Sequence, residues 1–511
     1  MANVKATDLI DFTRASKGHA LAKVSYGEEL VTNGTFDTDS DWTKGSGWSI
    51  SGGVAVSDGG STFTELRQTI SGFDTDKVYK FSFNLVVNSG VARFFADGTA
   101  YENLTSSGTY EYIIKPTSSA FSPRIQSRSP AFDGTVDNFS VKEVIFNQAD
   151  GTLQLFEHPN NIPRIEYDAD GNLLGLLVEE ARTNIVTYSE DFSQSSWSKI
   201  RSSVSQSSIQ APDGTTSAFV MTPSAGLNTH YIADAISGTS GSRSISFFAK
   251  KKEYSVVFVG HGIGVQEGTY FDLDAGTITS EGTDIDASTI TPLPNGWYRC
   301  AITFDSVIEP RYAILAPCES SGSTSFNADG TSGVYIYGAQ FEVGSFPTSY
   351  IKSNSGSTTT RPVDVASIPV ADFGYNQSEG TMFVEASSYK GIPKLLHLND
   401  GSDSNRAQIT ASASNVAAYV QATGDSGSFI SVTGAPTVPF KAALGIETND
   451  MGLTVNGSSV STDTSQNVPV SITKLNIGSA ATGGSVGQAH IKSIKYFPKR
   501  LSNAKLQELT S

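Results

Sequence analysis

Side chains able to do chemistry are sparse in this chain and do not cluster. Four tryptophans are present, and an aromatic face suits the apolar side of a pyranose ring. Trp42, Trp197 and Trp297 are candidates for stacking on a sugar, but Trp42 and Trp197 hold matching places in a repeat, which points to core packing. Trp48 is less constrained and is the glycan-stacking candidate. Glycoside hydrolysis needs two carboxylates on one face. The spacing Glu-x-Asp-x-x-Glu is absent, and Glu379 and Glu385 read as exposed strand ends. The six histidines, His19, His158, His230, His261, His397 and His490, are scattered, with no metal-ligand spacing. There is no Gly-x-Ser-x-Gly elbow, Walker loop or Cys-x-x-Cys. Cys300 and Cys318 read as free, packed thiols. The run Asn399-Asp400-Gly401-Ser402-Asp403 lacks EF-hand spacing and reads as a plain turn. No catalytic residue is expected, and the chain is not expected to be an enzyme.

The elements that carry these residues are written twice. Leu30-Val31-Thr32-Asn33-Gly34-Thr35-Phe36 runs on to Trp42, and Ile185-Val186-Thr187-Tyr188-Ser189-Glu190-Asp191-Phe192 runs on to Trp197. The closings match too. Asp137-Asn138-Phe139-Ser140-Val141-Lys142-Glu143-Val144 and Val334-Tyr335-Ile336-Tyr337-Gly338-Ala339-Gln340-Phe341 both alternate apolar and polar residues. A tandem module argues for binding or scaffolding, since arrays multiply weak contacts.

The 511 residues allow three or four domains. Only 17% of residues are charged, yet 10% are aromatic, which suits sheets with many tight turns rather than disorder. The net charge is −16. From Asp372 onward acids and bases balance, so the first 371 residues carry all of it. An acidic body with no basic stripe argues against nucleic acid and against anionic membrane surfaces. No apolar run reaches membrane-spanning length, so no membrane insertion is expected. The first residues hold no apolar signal region, and two cysteines do not make a disulfide scaffold. Synthesis in a reducing cytosol with an adhesin-like composition fits a protein displayed on a virion.

Period-2 alternation with Gly, Asn and Asp turns predicts an all-β chain. The pattern is that of tandem β-sandwich (jelly-roll) modules followed by a further C-terminal β unit. The expected order is a lead or attachment segment at 1–27 and a first jelly roll at 28–145. A connector at 146–183, joined with 1–27, precedes a second jelly roll at 184–350. A linker at 351–371 leads to a third, dissimilar unit at 372–511. Asn456-Gly457 predicts a two-residue hairpin, and Ser502 an N-cap for one short helix from Asn503 to Leu509.

Several of these runs form a family pattern. Asp11-Phe12-Thr13-Arg14-Ala15-Ser16, Pro163-Arg164-Ile165-Glu166, Leu174-Gly175-Leu176-Leu177-Val178-Glu179-Glu180-Ala181-Arg182-Thr183-Asn184 and Gly296-Trp297-Tyr298-Arg299 are its markers. Gly338-Ala339-Gln340-Phe341-Glu342-Val343 closes it, and residues 161–370 match most closely. Together they resemble bacteriophage tail-fibre and virion-appendage proteins. The repeats are similar to carbohydrate-binding-module jelly rolls. The third unit, through Leu453-Thr454-Val455-Asn456-Gly457 and Tyr496-Phe497-Pro498-Lys499-Arg500-Leu501-Ser502, resembles a concanavalin A/laminin-G sandwich.

The resemblance implies a tail fibre or receptor-binding protein, made in the host cytoplasm and displayed on the particle surface. It implies a homotrimer that contacts other virion proteins (tail, baseplate or capsid) and adsorbs to a host-surface glycan. The charge-balanced third unit is expected to meet that glycan. A head-surface decoration fibre and a polysaccharide depolymerase are the alternative readings. No cofactor is required. In jelly rolls of this kind Asp137 falls where a structural Ca2+ is often held, with Glu29 and Asn33 as further oxygen ligands.

Overall fold

The computed structural model describes residues 10–236, 241–262, 267–305, 311–434, 436–481 and 487–511. The chain is all-β. Among the described residues the one α-helix is Asn503–Thr510, capped by Ser502, whose hydroxyl accepts the Lys505 N–H. No helix among the described residues is long and apolar enough to cross a membrane. Two compact units form, residues 23–152 and residues 1–22 with 153–511.

The smaller unit is a sandwich. One sheet orders Trp48–Ser51, Val54–Asp58, Asp133–Phe146, Val78–Ser89 and Gly108–Ile114. The other orders Thr43–Lys44, Glu65–Arg67, Arg124–Ser127, Ala92–Ala96 and Thr99–Leu104. Alternation turns Phe81, Phe83, Phe94, Ile125 and Val141 inward, where aromatic area supplies most of the burial.

The larger unit contains the second jelly roll. Its first sheet orders Ser202–Gln206, Phe219–Pro223, Val334–Val343, Arg243–Lys251 and Trp297–Phe304, extended by Ala287–Leu293. Its second orders Trp197–Ile200, Tyr231–Ile236, Arg311–Cys318, Val256–His261 and Glu267–Asp272, extended by Thr277–Glu281. Strand for strand this is the order of the first module's two sets of five, with one strand added at the edge of each sheet. The repeat seen in the sequence is therefore a repeat of topology.

The third sandwich faces two seven-stranded sheets. One runs Asp11–Thr13, Val365–Pro369, Lys474–Ile477, Lys394–Asn399, Arg406–Ala411, Asn415–Gln421, Ser428–Thr433. The other runs Arg164–Tyr167, Leu173–Glu179, Gly487–Phe497, Glu379–Gly391, Phe440–Glu447, Asp450–Val455, Ser461–Asp463. The described part of 1–27, residues 10–27, and residues 146–183 thus make no small unit of their own. Phe12, Leu176 and Val178 need a facing sheet and find it here, in one core with Leu396, Val384 and Leu444. Residues 359–369, expected within a linker, supply the strands Thr359–Arg361 and Val365–Pro369.

Arg14, Arg164 and Glu179 converge with Arg361 and Asp364 in a buried ion cluster. Arg14 lies 3.3 Å from Asp364, Arg164 lies 2.8 Å from Glu179, and Arg164 also pairs with Asp364. Arg361 lies 3.5 Å from Glu179. Three cations meet two carboxylates, and carbonyls take further donors: His158 and Pro159 for Arg14, His19 for Arg164, Glu180 for Arg361. Burial alone would raise the Glu179 carboxyl. The Arg361 and Arg164 charges and two hydrogen bonds from Ser349 outweigh it and bring it down to about 2.

Candidate functional site

The third sandwich exposes the outer face of its Asp11-to-Thr433 sheet. Alternation sends Ala407, Ile409, Val416, Ala418, Val420 and Ile430 into the core. Gln408, Tyr419 and Phe429 therefore point outward. Register places them in one row, Gln408 opposite Tyr419 and Tyr419 opposite Phe429. Phe429 is 60% exposed. The adjacent row sets Arg406 opposite Gln421.

These groups are held in place. The Arg406 guanidinium lies 4.4 Å over the Tyr419 ring and donates to the Asp403 carbonyl. The Tyr419 hydroxyl donates to Ser426 O at 3.1 Å, and Gln421 Nε2 to Asp425 O at 3.0 Å. His397 sits opposite Gln408. Burial, helped by the Lys394 charge, pushes its imidazole down to about 4, although Asp403 lies 3.5 Å away. It is neutral at pH 7.

Polar atoms on and beside this face lack partners. Gln408 Oε1, Arg406 Nε and Asn405 Oδ1 are buried with no hydrogen-bond partner in the chain. Each such group costs about 1–3 kcal/mol unless something satisfies it. These three atoms are closed to solvent, and the group open to a ligand on this face is the Phe429 ring, whose shape suits the apolar face of a sugar.

The residues singled out in the sequence lie elsewhere. Trp48 is a correction. At 7% exposed it packs in the core of the smaller unit, 5.9 Å from Phe132, with no open face for a sugar. Trp42, Trp197 and Trp297 are also buried, and each indole N–H donates to a carbonyl, of Asn33, Tyr188 and Gln210.

Glu29, Asn33 and Asp137 are occupied with the chain itself. Glu29 accepts the N–H groups of Val31 and Val141 and the Ser140 hydroxyl. Asn33 donates to the carbonyls of Thr38 and Ser40. Asp137 accepts the Asn138 N–H and side-chain amide. These bonds fasten the opening loop and the closing strand. Among the described residues no group of three or more His, Cys, Asp or Glu gathers to hold a metal. Cys300 and Cys318 are buried, free and on different sheets, with burial raising both thiols.

Sequence reasoning found the strand of Tyr419 but not the face. The signal was there in outline, because Arg406, Gln408 and Thr410 alternate with Ala407, Ile409 and Ala411.

No family model matches the chain, and no curated protein matches it. Two solved structures of Trypanosoma rangeli sialidase align at 11% identity over 96% of this chain and 93% of theirs. One holds 2,3-difluorosialic acid as a covalent intermediate, the other 2-keto-3-deoxy-D-glycero-D-galacto-2,3-difluoro-nononic acid, and the TM-score is 0.22 for both. An anti-sigma factor domain-containing protein aligns at 10% identity over 61% of this chain and 98% of that one, with TM-score 0.12. Likenesses at these scores carry no functional argument, and the fold stands on the strand order of the chain itself.

Proposed function

We propose that this chain is a structural virion appendage, a tail-fibre or receptor-binding protein, that adsorbs to a host-surface glycan through the third sandwich. The observation that carries the reading is the exposed ring of Phe429, 60% open to solvent beside Tyr419 on the next strand. That ring offers the apolar face on which a pyranose stacks. The charge balance of residues 372–511 supports it, because a neutral surface avoids repulsion from an anionic cell envelope. An open, shallow face gives weak single sites, and the homotrimer proposed from the resemblance would multiply them through effective concentration.

A glycan array probed with the full chain tests this. The expected result is retention on a defined subset of bacterial surface glycans. Retention should be lost in Tyr419→Ala/Phe429→Ala, with the thermal melt unchanged. Equal retention by the double variant would remove this face from the proposal, and retention on no glycan would overturn the reading.

A further inference from the structure

The larger unit encloses a cavity of about 370 Å3 where the second jelly roll meets the third sandwich. Ser388, His490 and Glu166 all line it. The Ser388 hydroxyl lies 2.6 Å from His490 Nδ1, and Glu166 Oε2 lies 2.5 Å from His490 Nε2. An ionised carboxylate accepts, so the Nε2 atom carries the proton and Nδ1 presents its lone pair to the hydroxyl. Glu166 is itself held, because its other oxygen accepts the Leu21 N–H at 3.2 Å.

The sheet builds this chain of groups. Ser388 and His490 are directly opposed on neighbouring antiparallel strands. Glu166 lies two strands from His490 in the same sheet, beyond Leu173–Glu179. Gly175 stands opposite Glu166 at φ +122°, and a Cβ there would come 2.4 Å from Ile491 O. Its missing side chain lets the Leu173–Glu179 strand lie close against the backbone of the strand that carries His490. One row along, Lys390 and Gln488 oppose each other and line the same cavity with side-chain donors.

We infer that Ser388, His490 and Glu166 form a nucleophile, general base and orienting carboxylate that hydrolyse a short-chain carboxylic ester. The arrangement has the required logic, a hydroxyl in reach of a base that a third group orients. Ser388 Oγ bonds to the acyl carbon while its proton passes to Nδ1. The alcohol leaves with that proton. Water then attacks the acyl-serine, giving its proton to Nδ1, and the carboxylic acid departs as the proton returns to Oγ. Glu166 stays ionised and stabilises the imidazolium. Lys390 and Gln488 are the donors placed for the carbonyl oxygen as its charge develops. A cavity of about 370 Å3 admits a small ester whole, and an O-acetyl ester of a small alcohol such as a sugar is the class of substrate proposed. This activity removes a substituent and is independent of the proposed glycan contact.

The test uses the full chain with p-nitrophenyl acetate at neutral pH and, separately, a fluorophosphonate probe located by peptide mass mapping. Expected are turnover above the buffer rate, an adduct on Ser388, and a loss of at least about 100-fold in S388A and H490Q. E166Q is expected to lose about tenfold or more and to shift the pH profile, because the imidazolium then lacks its counter-charge. Absence of a Ser388 adduct, or turnover unchanged in S388A, overturns the inference. If S388A melts differently from the wild type, adduct mapping on the wild type decides alone.

Discussion

Arg164 and Glu179 meet at 2.8 Å with neither side chain exposed to solvent. Arg164 comes from the Pro-Arg-Ile-Glu run and Glu179 from the Val-Glu-Glu run. Arg361 and Asp364 complete the cluster from the start of the third sandwich. These motifs therefore do structural work. They clamp the connector strands to the segment that enters the last sandwich. Removing one partner leaves a buried charge without its counter-ion, which costs about 3–5 kcal/mol. Glu179→Ala and Asp364→Ala should each lower the melting transition of the larger unit strongly, read by calorimetry. A shift within error in either variant would show the cluster to be energetically idle.

The same carboxyl sets an acid limit. Unfolded, Glu179 titrates near its usual 4.5, whereas folded it titrates at about 2. Between these values the unfolded chain binds the extra proton, so stability rises with pH. The contribution, about 3 kcal/mol, is complete above pH 4.5 and is lost as pH falls toward 2. His397, pushed down to about 4, acts in the same sense between its usual 6.5 and 4. Asp234 opposes both, since burial raises it to about 6 and protonation stabilises the fold between 6 and 3.8. Chemical denaturation across pH should show a falling arm below 4.5 that flattens in Glu179→Gln.

How much of this the sequence showed depends on distance along the chain. Local signals were legible in part. Asn456 and Gly457 turn at φ of 49° and 70°, but the strands end at Val455 and resume at Ser461, with Leu453 opposite Ser461, so the connection is longer than the two residues expected. Ser502 caps its helix. Trp42 and Trp197 were placed correctly in their cores, because a repeat position constrains packing. Which strand pairs with which was not legible. Phe12 alternates like any strand residue, and nothing nearby says that Asp11–Thr13 will pair with Val365–Pro369. Ser388, His490 and Glu166 were missed for the same reason. Their contacts span 102 and 324 residues, and no motif spacing survives that.

The two tryptophans offer a test of the repeat. Trp42 Nε1 donates to Asn33 O at 3.0 Å and Trp197 Nε1 to Tyr188 O at 2.9 Å, each nine residues back. Phe36 and Phe192 lie 5.0 Å from their respective indoles. Trp→Phe at either place orphans a carbonyl at about 1–3 kcal/mol and leaves a small void. Equilibrium unfolding should give similar losses for Trp42→Phe and Trp197→Phe. A loss in only one would mean the shared geometry carries unequal weight.

Gly175 is the position where a single methyl group should be felt in both fold and cavity. At φ +122° an alanine is strained, by about 1–3 kcal/mol, and its Cβ collides with Ile491 O. Gly175→Ala should lower the melting temperature and, by moving the Gly487–Phe497 strand, part His490 from Glu166. The check is an NMR titration of the His490 ring in wild type and variant. An unchanged His490 titration would show that the strand absorbs the methyl without shifting.

The third sandwich cannot be cut free at residue 372. Its core takes Phe12, Leu176, Val178, Ala366 and Ile368 from before that point, and both sheets take edge strands from there. Burying each of the four large residues contributes about 1.5–3 kcal/mol, together comparable to the whole stability of an ordinary domain. A fragment of residues 372–511 also bares the sheet edges at Lys474–Ile477 and Gly487–Phe497. It should therefore aggregate or stay unfolded, with no cooperative melt by circular dichroism. Its failure to bind a glycan would then say nothing about the face of Tyr419 and Phe429. Only point variants in the intact chain separate recognition from folding. A soluble 372–511 fragment that melts cooperatively at the temperature of the full chain would refute this account of how the sandwich is built.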